Sequence, residues 1–592
     1  MEHSLPSYQK RTHTCGELRT SDIRKTVTLN GWVDTRRDLG GVIFIDLRDR
    51  YGKTQVVFNP QTSPSVHNFA KDLRSEFVVS VTGIVERRPG GTENAGLATG
   101  DIDVMAVELK VLNKAETPPF PIDDKVDASE DIRLKYRYLD LRRPALQQNI
   151  ILRHRMYQVA RKYFDEHNFI EVETPILMKS TPEGARDYLV PSRVHRGKFY
   201  ALPQSPQTYK QILMVSGFDR YVQIVKCFRD EDLRADRQPE FTQIDVEMSF
   251  VDEEDVREIT EGFLRRLFKE VKGIDIQLPL PRLTYKEAME TYGSDKPDTR
   301  FELRLRSINH LVQDSSFKVF AEVARKGGVV AGFVLPGGAA FIRNQMDNLV
   351  DFTKSLGAGG LVYFKWTDQG LETAVEKFLG KDLVETIASA MGARKGDLVL
   401  LVSDAWAKTY TILGTLRLEL ARRLNLIDES KYNLQWVTEF PLFEYSEEEK
   451  RYVAVHHPFT APHPDDVGIL DSDPGSVRAR AYDLVLNGTE IAGGSIRIHD
   501  SALQQHVFRL LGIGEQEAFR KFGFLLNAFK YGAPPHGGIA FGFDRIVMLF
   551  AGMKSIRDVI AFPKTASAIS LMDEAPSEVD DRQLKELHIR VV

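Results

Sequence analysis

Residues 228–245, FRDEDLRADRQPEFTQID, combine cationic side chains with a polar strand in eighteen positions. The preceding residues 221–228 are short, apolar and rich in β-branched side chains, which predicts a strand. After the loop, apolar residues alternate with a polar set consisting of Gln243, Asp245, Glu247 and Ser249. A period of two places that set on one face of a strand. A polar face on a core strand indicates a wet cavity, here suited to a ligand with phosphate and ammonium groups.

Two further groups of residues could complete such a site. Arg229 lies at the end of the first predicted strand, where a guanidinium requires an anion or a carboxylate. A structural salt bridge is the alternative for this arginine. Residues 204–210 carry amide, hydroxyl and ammonium groups within one turn and the segment after it, at Gln204, Ser205, Gln207 and Lys210. By itself, the pattern in residues 204–210 is weak evidence for a binding site.

Residues 483–497 contain acidic, glycine and arginine positions suited to a nucleotide with a bound cation. Gly493 and Gly494 allow a ligand or another backbone to approach closely, and Glu490 and Arg497 flank them. Asp483 and Glu490 could hold Mg²⁺, since magnesium takes few carboxylates together with substrate oxygens. A surface carboxylate pair is the alternative. Elsewhere, the planar guanidinium of Arg545 could cover one face of a base, and Phe241 the other.

Several kinds of site are excluded. The phosphate-loop pattern GxxxxGK[ST] and a GxGxxG after a strand are absent, and no Ser–His–Asp signature is present. The only two cysteines, Cys15 and Cys227, form neither a disulfide framework nor a thiolate metal site. His456 and His457 lack nearby ligands for zinc, so contact with a substrate carboxylate is the better hypothesis.

Composition indicates a globular protein of several domains. The 592 residues are 42% hydrophobic and 28% charged, with a net charge of −5. The sequence has no run of about 18 apolar residues, the length that would predict a membrane span. The N-terminus lacks the apolar core of a signal peptide. We therefore expect a cytoplasmic protein. The negative net charge does not exclude RNA, because phosphate contacts depend on local patches.

Residues 1–115 are predicted to form a small β-barrel. Five short strands are expected, at residues 27–34, 42–48, 55–59, 77–87 and 101–112. Five is the strand count of the OB-fold. Phe44, with Arg36 and Arg37 nearby, offers stacking and positive charge, the chemistry of single-strand binding. A solvated barrel face with a half-buried phenylalanine is equally compatible with this segment.

The remaining chain divides by composition. Residues 116–149 are rich in proline and charge, which is typical of a linker. A helix is predicted over residues 146–167 and a strand over 169–175. Residues 290–412 are punctuated by glycines and are expected to form an inserted α+β domain, which separates residues 150–289 from residues 413–562. Residues 563–592 form a C-terminal extension.

These motifs resemble those of class II aminoacyl-tRNA synthetases, and more narrowly the bacterial-type aspartyl-tRNA synthetases. The helix that leads to Pro175 is similar to the first motif of that class, residues 228–245 to the second, and residues 537–545 to the third. Residues 180–187, 204–210 and 456–460 are similar to segments particular to the aspartate enzymes. The resemblance covers essentially the whole chain. It implies an α+β multidomain protein with an OB-fold barrel and an antiparallel-sheet catalytic domain. The catalytic domain would consist of two parts, residues 150–289 and 413–562, on either side of the inserted domain.

The resemblance also implies roles for individual residues. Arg229, Glu490 and Arg545 would be catalytic. Aspartate would be bound by Glu183, Ser205, Gln207, Lys210, Arg229, Asp245, His456 and Arg497. ATP would be bound by Arg229, Glu231, Gln238, Phe241, Glu490, Gly542, Phe543, Asp544 and Arg545. Mg²⁺ would be held by Asp483 and Glu490. An anticodon would be read by Arg37, Phe44, Gln55 and Asp103.

The implied activity is ATP-dependent attachment of L-aspartate to tRNA-Asp through an aspartyl-adenylate, by a homodimer. Members of this family either charge tRNA-Asp alone or charge tRNA-Asn as well. Leu39 resembles the stricter type, but the glycines at Gly90 and Gly91 leave the choice open. A non-catalytic relative should lack Arg229, Glu490 or Arg545, and the chain has all three. The Lys210 and Arg497 cations argue against an asparaginyl enzyme, and the barrel argues against a ligase that makes free asparagine.

Overall fold

The computed structural model of the protein describes residues 8–181, 185–233 and 235–591, and it divides into two compact units. One unit contains the chain up to His154 together with Met553–Glu578. The other contains Arg155–Gly552 and the residues from Val579 onward. No helix in the described part of the chain is long and apolar enough to cross a membrane.

The first unit contains a closed five-stranded barrel, which confirms the predicted OB-fold. Its elements are β1 Thr26–Leu39, β2 Val42–Asp49, β3 Gly52–Phe58, α1 Pro64–Ala70, β4 Val78–Arg87 and β5 Ile102–Asn113. The strands close in the order β1-β2-β3-β5-β4 around an apolar core. The strand predicted to end at residue 34 continues to Leu39, because it remains paired with β2 beyond a bulge at Asp34. Gly40 and Gly41 join the two strands with φ of 62° and 83°, as a two-residue hairpin requires.

Helices occupy about half of the predicted linker and continue beyond it. They are α2 Glu130–Lys135, α3 Arg137–Asp140 and α4 Pro144–Glu166. The carboxylate of Asp140 is fully buried and accepts hydrogen bonds from Arg137 and Arg143, each at 2.8 Å. The α4 helix begins two residues earlier than predicted, at a proline, since proline fits the first turn of a helix.

The second unit begins with short strands, a long hairpin and helices. They are β6 Ile170–Glu171, β7 Leu189–Pro191, β8 Phe199–Ala201, α5 Gln207–Val215, β9 Arg220–Phe228, β10 Glu240–Ser249, α6 Glu253–Lys272, β11 Arg282–Thr284 and α7 Tyr285–Tyr292. The strand predicted over residues 169–175 is reduced to two residues that pair with β9. Phe250, expected on the apolar face of β10, instead follows the strand with φ of 57° and is 76% exposed.

An α+β segment follows. Its elements are β12 Arg306–Ser307, α8 Asn309–Val312, α9 Lys318–Arg325, β13 Val329–Leu335, α10 Arg343–Ser355, β14 Val362–Thr367, β15 Gly370–Glu372, α11 Glu376–Leu379, α12 Lys381–Met391, β16 Leu398–Asp404 and α13 Trp406–Arg423. The strands form one sheet in the order β12-β13-β16-β14-β15. Separate apolar clusters cover its two faces, so the segment has a core of its own.

The chain then returns to the large sheet. The last elements are β17 Leu434–Thr438, β18 Phe443–Ser446, β19 Arg451–Ala454, β20 Ala481–Leu486, β21 Thr489–Ile496, α14 Ser501–Leu510, α15 Glu515–Phe529, β22 His536–Gly542, α16 Phe543–Ala551 and α17 Asp581–Glu586. Eight strands form the sheet in the order β11-β17-β20-β21-β22-β10-β9-β6. Its central strands are antiparallel, as the family resemblance implied, and only the two outermost pairs are parallel.

Candidate active site

One face of the large sheet carries the predicted site residues in rows. The first row crosses β20, β21, β22 and β10 through the paired residues Asp483, Gly493, Ala540 and Asp245. The second row, two residues along, is Ala481, Ser495, Gly538 and Glu247. Directly paired residues project to the same face of a sheet. Asp483 and Asp245 therefore stand about 14 Å apart, three strand spacings, across a floor of small residues.

At the β10 end of this floor, two cations share one buried carboxylate. Lys210 Nζ lies 2.7 Å from Asp245 Oδ1 and 3.2 Å from Glu247 Oε2. Arg497 Nε donates to Glu247 Oε1 at 3.0 Å, and its Nη2 donates to Oε2 at 3.2 Å. All four residues are at most 5% exposed. The structure thus brings together Lys210, Asp245 and Arg497, three of the residues predicted for aspartate.

Two carboxylates balance two cations in this cluster. Burial alone would raise the pKa of Glu247, but Arg497 and Lys210 outweigh it and lower that pKa to about 2. Burial raises the pKa of Asp245, against the opposing effect of Lys210. Gly538 makes room for this arrangement, because a Cβ there would collide with the Glu247 carboxylate. A carboxylate ligand would add the negative charge that two buried cations can accept.

Buried polar atoms around α5 also indicate a polar ligand. Among the described residues, no hydrogen-bond partner satisfies Gln207 Nε2, Gln211 Nε2, Gln204 Oε1, Thr208 Oγ1 or Asp245 Oδ2. Buried polar groups are rarely left without partners, so such a concentration is typical of a binding site. Gln204 also donates to Asp187 Oδ1 at 2.6 Å. Ser205 lies in the turn before α5 and lines a small cavity with Asp187.

Two other residues predicted for aspartate have different surroundings. Glu183 lies outside the described residues. His456 packs edge-on against Phe440, with 4.7 Å between the ring centroids, and the residue is exposed. His456 could therefore contact a bound substrate only from outside the buried cluster that contains Lys210 and Arg497.

The predicted nucleotide residues surround the β9–β10 hairpin. The Arg229 guanidinium lies 5.1 Å from the centroid of the Phe241 ring, and Arg229 N donates to Pro239 O at 2.9 Å. Phe241, Asp245 and Glu247 alternate along β10 and share a face. Arg229 therefore lies over the same face as the Lys210 and Arg497 cations. Within the loop, Arg237 donates to Glu231 Oε2 at 2.9 Å. Gln238, also in the loop, is buried.

Arg545 connects α16 to two parts of this face. Its Nη1 donates to Glu490 O at 3.1 Å, and its Nη2 lies 3.3 Å from Asp236 Oδ2. Without a nucleotide, Arg545 and Phe241 are therefore held by different partners. Gly542, just before Arg545 in the chain, pairs with Gln243.

The two residues between Gly542 and Arg545 have structural roles. Asp544 is buried, and its Oδ2 accepts a hydrogen bond from Thr242 N at 2.7 Å. The Phe543 ring is fully buried and stacks on Tyr157 at 4.4 Å between centroids. Both side chains hold α16 against its neighbours, and their predicted contact with ATP stays a prediction. Arg545 and the backbone at Gly542 are then the parts of this segment best placed for a nucleotide.

Asp483 and Glu490 face each other above Gly493. A Cβ on Gly493 would lie 2.7 Å from Asp483 Oδ1 and 3.6 Å from Glu490 Oε1. Burial is the largest cause that raises the pKa of Asp483 well above its usual range, and the carboxylates of Glu490 and Asp295 add to it. Lys296 acts in the opposite direction and lowers that pKa. Mutually repelling carboxylates fit a divalent cation. No group of three or more His, Cys, Asp or Glu among the described residues could hold a metal, so phosphate oxygens or water would complete a magnesium shell.

The barrel residues predicted to read an anticodon form a hydrogen-bonded row. Arg37 donates to Asp46 Oδ1 at 2.9 Å and to Gln55 Oε1 at 3.1 Å. Gln55 Nε2 donates to Asp103 Oδ1 at 2.9 Å. Phe44 pairs with Arg37 across the β1–β2 hairpin and is half-buried. Leu39, the predicted discrimination residue, is 62% exposed beside the hairpin turn.

Sequence reasoning assigned no role to Glu247, which braces both cations. Its place in the polar alternation of β10 was visible, but its contact with Arg497 joins residues 250 positions apart. Gln211 and His536 were also missed. Gln211 Oε1 and His536 Nε2 lie 3.2 Å apart, beside the same cluster. Asp103 was predicted, but its ion pair with Arg88 at 2.9 Å was not.

Comparison with known proteins identifies the domains. Residues 129–566 match the family described as "tRNA synthetases class II (D, K and N)", and residues 27–112 match the OB-fold nucleic acid binding domain of the anticodon type. The chain is 55% identical over 582 residues to "Aspartate--tRNA(Asp/Asn) ligase" of Caldanaerobacter subterraneus subsp. tengcongensis, covering 98% of each sequence. It is equally 55% identical to "Aspartate--tRNA ligase" of Macrococcus caseolyticus, again covering 98% of each.

Solved structures share the fold. The asparaginyl-tRNA synthetase of Pyrococcus horikoshii, solved with asparaginyl-adenylate, aligns with a TM-score of 0.59 and 19% identity. The alignment covers 93% of this chain and 98% of that one. The family match over most of the chain and the full-length relatives agree. The chain therefore belongs to the class II tRNA synthetases, and within them to the aspartate–tRNA ligases.

Proposed function

We propose that the protein activates L-aspartate with ATP and transfers it to the 3′-terminal adenosine of tRNA-Asp. The observation that carries this proposal is the buried pair of cations, Lys210 and Arg497, on the floor of the sheet. The side-chain carboxylate of aspartate is the ligand that two such cations accept best. The names of the full-length relatives support the same substrate.

The first step needs positioning and charge stabilisation more than acid–base chemistry. The α-carboxylate of aspartate attacks the α-phosphorus of ATP, and pyrophosphate leaves as aspartyl-adenylate forms. Arg229, over the same face as the cations, would meet both the attacking carboxylate and the α-phosphate. Arg545 would stack on adenine, as would Phe241 from the other side, once Arg545 leaves Asp236.

Asp483 and Glu490 are the residues that would hold Mg²⁺. Held there, the ion would supply neutralisation of the phosphate charge. Asp483 stands three strands from Asp245 on the same face. This separation would allow the triphosphate and the amino acid to lie side by side on the same face.

Discrimination against asparagine follows from the charge of the pocket. An amide in place of the carboxylate would not supply the negative charge that Lys210 and Arg497 accept from aspartate, although both cations would keep their pairs with Asp245 and Glu247. A site built on such a charged pair rejects the analogue by roughly 10⁴-fold or more. We therefore expect aspartate, and not asparagine, to support pyrophosphate exchange.

Charging of tRNA-Asn with aspartate is a second candidate activity. Relatives of similar identity include proteins named "Aspartate--tRNA(Asp/Asn) ligase" and one named only "Aspartate--tRNA ligase", so identity does not decide. Leu39 resembles the stricter type, and the glycines at Gly90 and Gly91 leave the choice open. Charging purified tRNA-Asp and tRNA-Asn with labelled aspartate measures this directly, and label on both tRNAs would contradict the stricter assignment.

We also propose a cytoplasmic homodimer. The edge strand β6 exposes Ile170, and a groove beside it is lined by Phe164, Phe169 and Val222. Arg161, Lys162, Asp165 and Glu171 line the same groove, so this edge offers apolar and charged groups to a second copy of the chain. Light scattering after size exclusion should give twice the mass of 67.2 kDa, and a monomer would exclude this arrangement.

The decisive experiment is aspartate-dependent exchange of labelled pyrophosphate into ATP, with Arg229→Ala as the test variant. We expect a loss of about 10³-fold, since charge-stabilising donors contribute on that scale. Arg265→Ala, which breaks an exposed pair with Asp275, is the matched control. Near-normal exchange by Arg229→Ala would refute the assigned role, and no exchange by the wild type would refute the proposed function.

A further inference from the structure

A buried charge cluster in the first unit lies outside the candidate active site. The carboxylate of Glu76, in a residue 2% exposed, accepts from Arg48 Nη2 at 2.7 and 2.8 Å and from Arg142 Nη1 at 2.7 Å. Arg48 Nη1 also donates to Asp34 Oδ1 at 2.6 Å, and Lys53 Nζ lies 2.7 Å from Asp34 Oδ2. We call these five residues the barrel–hinge cluster. Arg142 belongs to the hinge between α3 and α4, and the other four belong to the barrel.

Two uncommon backbone conformations aim the carboxylates of this cluster. Glu76 has φ of 66°, in the left-handed region that side chains other than glycine rarely adopt. Hydrogen bonds from Glu76 N to Val33 O and from Val33 N to Phe77 O hold it there, at 2.7 and 2.9 Å. Asp34 is the extra residue of the bulge in β1. Strained backbone that is maintained around a buried ion pair indicates a functional requirement in addition to ordinary packing.

The cluster continues the row of predicted anticodon residues. Phe44, Asp46 and Arg48 alternate along β2 and so share one face of the strand. Asp46 holds Arg37, as described above, and Arg48 is the next residue on that face. The strand partner of Arg48 is Trp32, and the Arg142 guanidinium lies 5.1 Å from the Trp32 ring centroid. A rigid path therefore runs from the exposed face of the barrel to the hinge.

The hinge is anchored again beyond Arg142. Arg137, at the start of α3, donates to the carbonyl oxygens of Arg557, Ile560 and Ala561 at 2.7, 2.9 and 2.9 Å. Asn149 Nδ2 in α4 donates to the carbonyl oxygen of Asp558 at 3.0 Å. This segment follows α16, the helix that carries Arg545, in the chain. The hinge is thus fixed to the barrel at one end and to residues 557–561 at the other.

We propose that Glu76 and Arg142 are positioning residues for tRNA charging, which fix the barrel on the hinge so that binding of the anticodon contributes to transfer at the far end of the tRNA. The proposal rests on the proposed function. A large ligand that contacts two distant sites gains most when the spacing between the sites is fixed, because less entropy is lost on reaching the second site. Neither residue would affect the adenylate step, which needs no tRNA.

The test compares Arg142→Gln and Arg142→Lys with the control Arg265→Gln in the second unit. We expect pyrophosphate exchange within about twofold of wild type and kcat/KM for tRNA charging lowered about tenfold in Arg142→Gln, a loss in the range of coupled residue pairs. Arg142→Lys should be intermediate, since lysine keeps the charge but not the guanidinium fork. Wild-type charging by Arg142→Gln, or an equal loss in both assays, would overturn the proposal.

A double-variant cycle separates positioning from stability. If the barrel–hinge cluster transmits anticodon binding, Phe44→Ala should lower kcat/KM for charging less in the Arg142→Gln background than in the wild type. Equal losses in the two backgrounds would show that the cluster only stabilises the fold, whatever its effect on Tm. A wild type inactive in pyrophosphate exchange would instead refute the proposed function, and this proposal with it.

Discussion

The candidate active site and the outer face of the barrel use charge in opposite ways. On the large sheet, Lys210, Arg497 and Glu247 are at most 5% exposed and hold each other in a fixed arrangement. On the barrel, Arg37 is exposed and Gln55 is half-buried, and each binds its neighbours by hydrogen bonds that a base edge could replace. Buried, preorganised charges suit a small substrate whose charge changes during reaction.

The barrel face is suited to recognition in which hydrogen bonds to a base edge replace hydrogen bonds between side chains. A single-stranded base gains affinity by stacking on an aromatic ring and specificity by hydrogen bonds to its edge. Phe44 supplies the ring, and its neighbours supply donors and acceptors at the surface. The two regions should therefore respond differently to the loss of one charged or aromatic side chain. On the sheet, loss of one side chain should leave a buried charge unbalanced and strongly reduce activity. On the barrel, it should remove a single contact with the tRNA.

The largest effect is expected for Glu247→Gln. The variant leaves Lys210 and Arg497 close together with one carboxylate fewer, and breaking a buried ion pair costs about 3–5 kcal/mol. We expect kcat/KM for aspartate in pyrophosphate exchange to fall by about 10²–10³-fold. Titration of aspartate at saturating ATP measures this.

Glu302→Gln is the matched control for that experiment, since the Glu302 side chain is 82% exposed in its pair with Arg304. Exposed pairs contribute about 0–1 kcal/mol. Equal behaviour of the two variants would mean that Glu247 does not brace the cations, and the contrast between the two regions would be lost.

Sequence alone predicted the polar face of β10, because alternation is a local property. The OB-fold followed equally from five short strands. The joint use of Glu247 by Lys210 and Arg497 depends on the register of four strands drawn from distant parts of the chain. Local patterns carry no register between such strands, so this contact could not be predicted.

Other features could not be predicted because tertiary hydrogen bonds override local preference. Phe250 fits the alternation of β10, yet its N–H donates to Pro535 O and the residue leaves the strand in a left-handed conformation. Glu76 in the barrel is a parallel case, held at positive φ by Val33. The partners of Phe543 and Asp544 likewise come from other segments, and nothing in the motif GFDR distinguishes a buried side chain from one that binds a ligand.

A smaller effect is expected for Phe44→Ala on the barrel. Loss of a stacked base costs about 1–3 kcal/mol, which corresponds to roughly 10–100-fold in kcat/KM for tRNA charging. Pyrophosphate exchange should remain at the wild-type rate. Phe69→Ala is the control, because Phe69 is an aromatic residue of the same barrel that is 69% exposed on α1. Equal losses in both assays would indicate that Phe44 supports folding and not recognition.

The smallest effect is expected from the carboxylates at the other end of the sheet floor. Asp46 and Asp103 of the barrel each pair with an arginine, whereas Asp483 faces Glu490. Because the pKa of Asp483 is raised on folding, its ionised form destabilises the fold at neutral pH, and the effect grows as pH rises above the ordinary value of 3.8. Asp483→Asn removes this repulsion and should raise Tm at pH 7.5 without Mg²⁺ by about 1–3 °C.

The same variant should need about tenfold more Mg²⁺ for half-maximal pyrophosphate exchange, since a hard cation loses one of its charged ligands. Asp314→Asn, at an 83% exposed side chain, should change neither quantity. Stability and function then move in opposite directions at a site built for a cation, as expected where activity requires a locally unfavourable arrangement. A lower Tm for Asp483→Asn would show that Asp483 stabilises the fold without a cation, as the paired carboxylates of the barrel do.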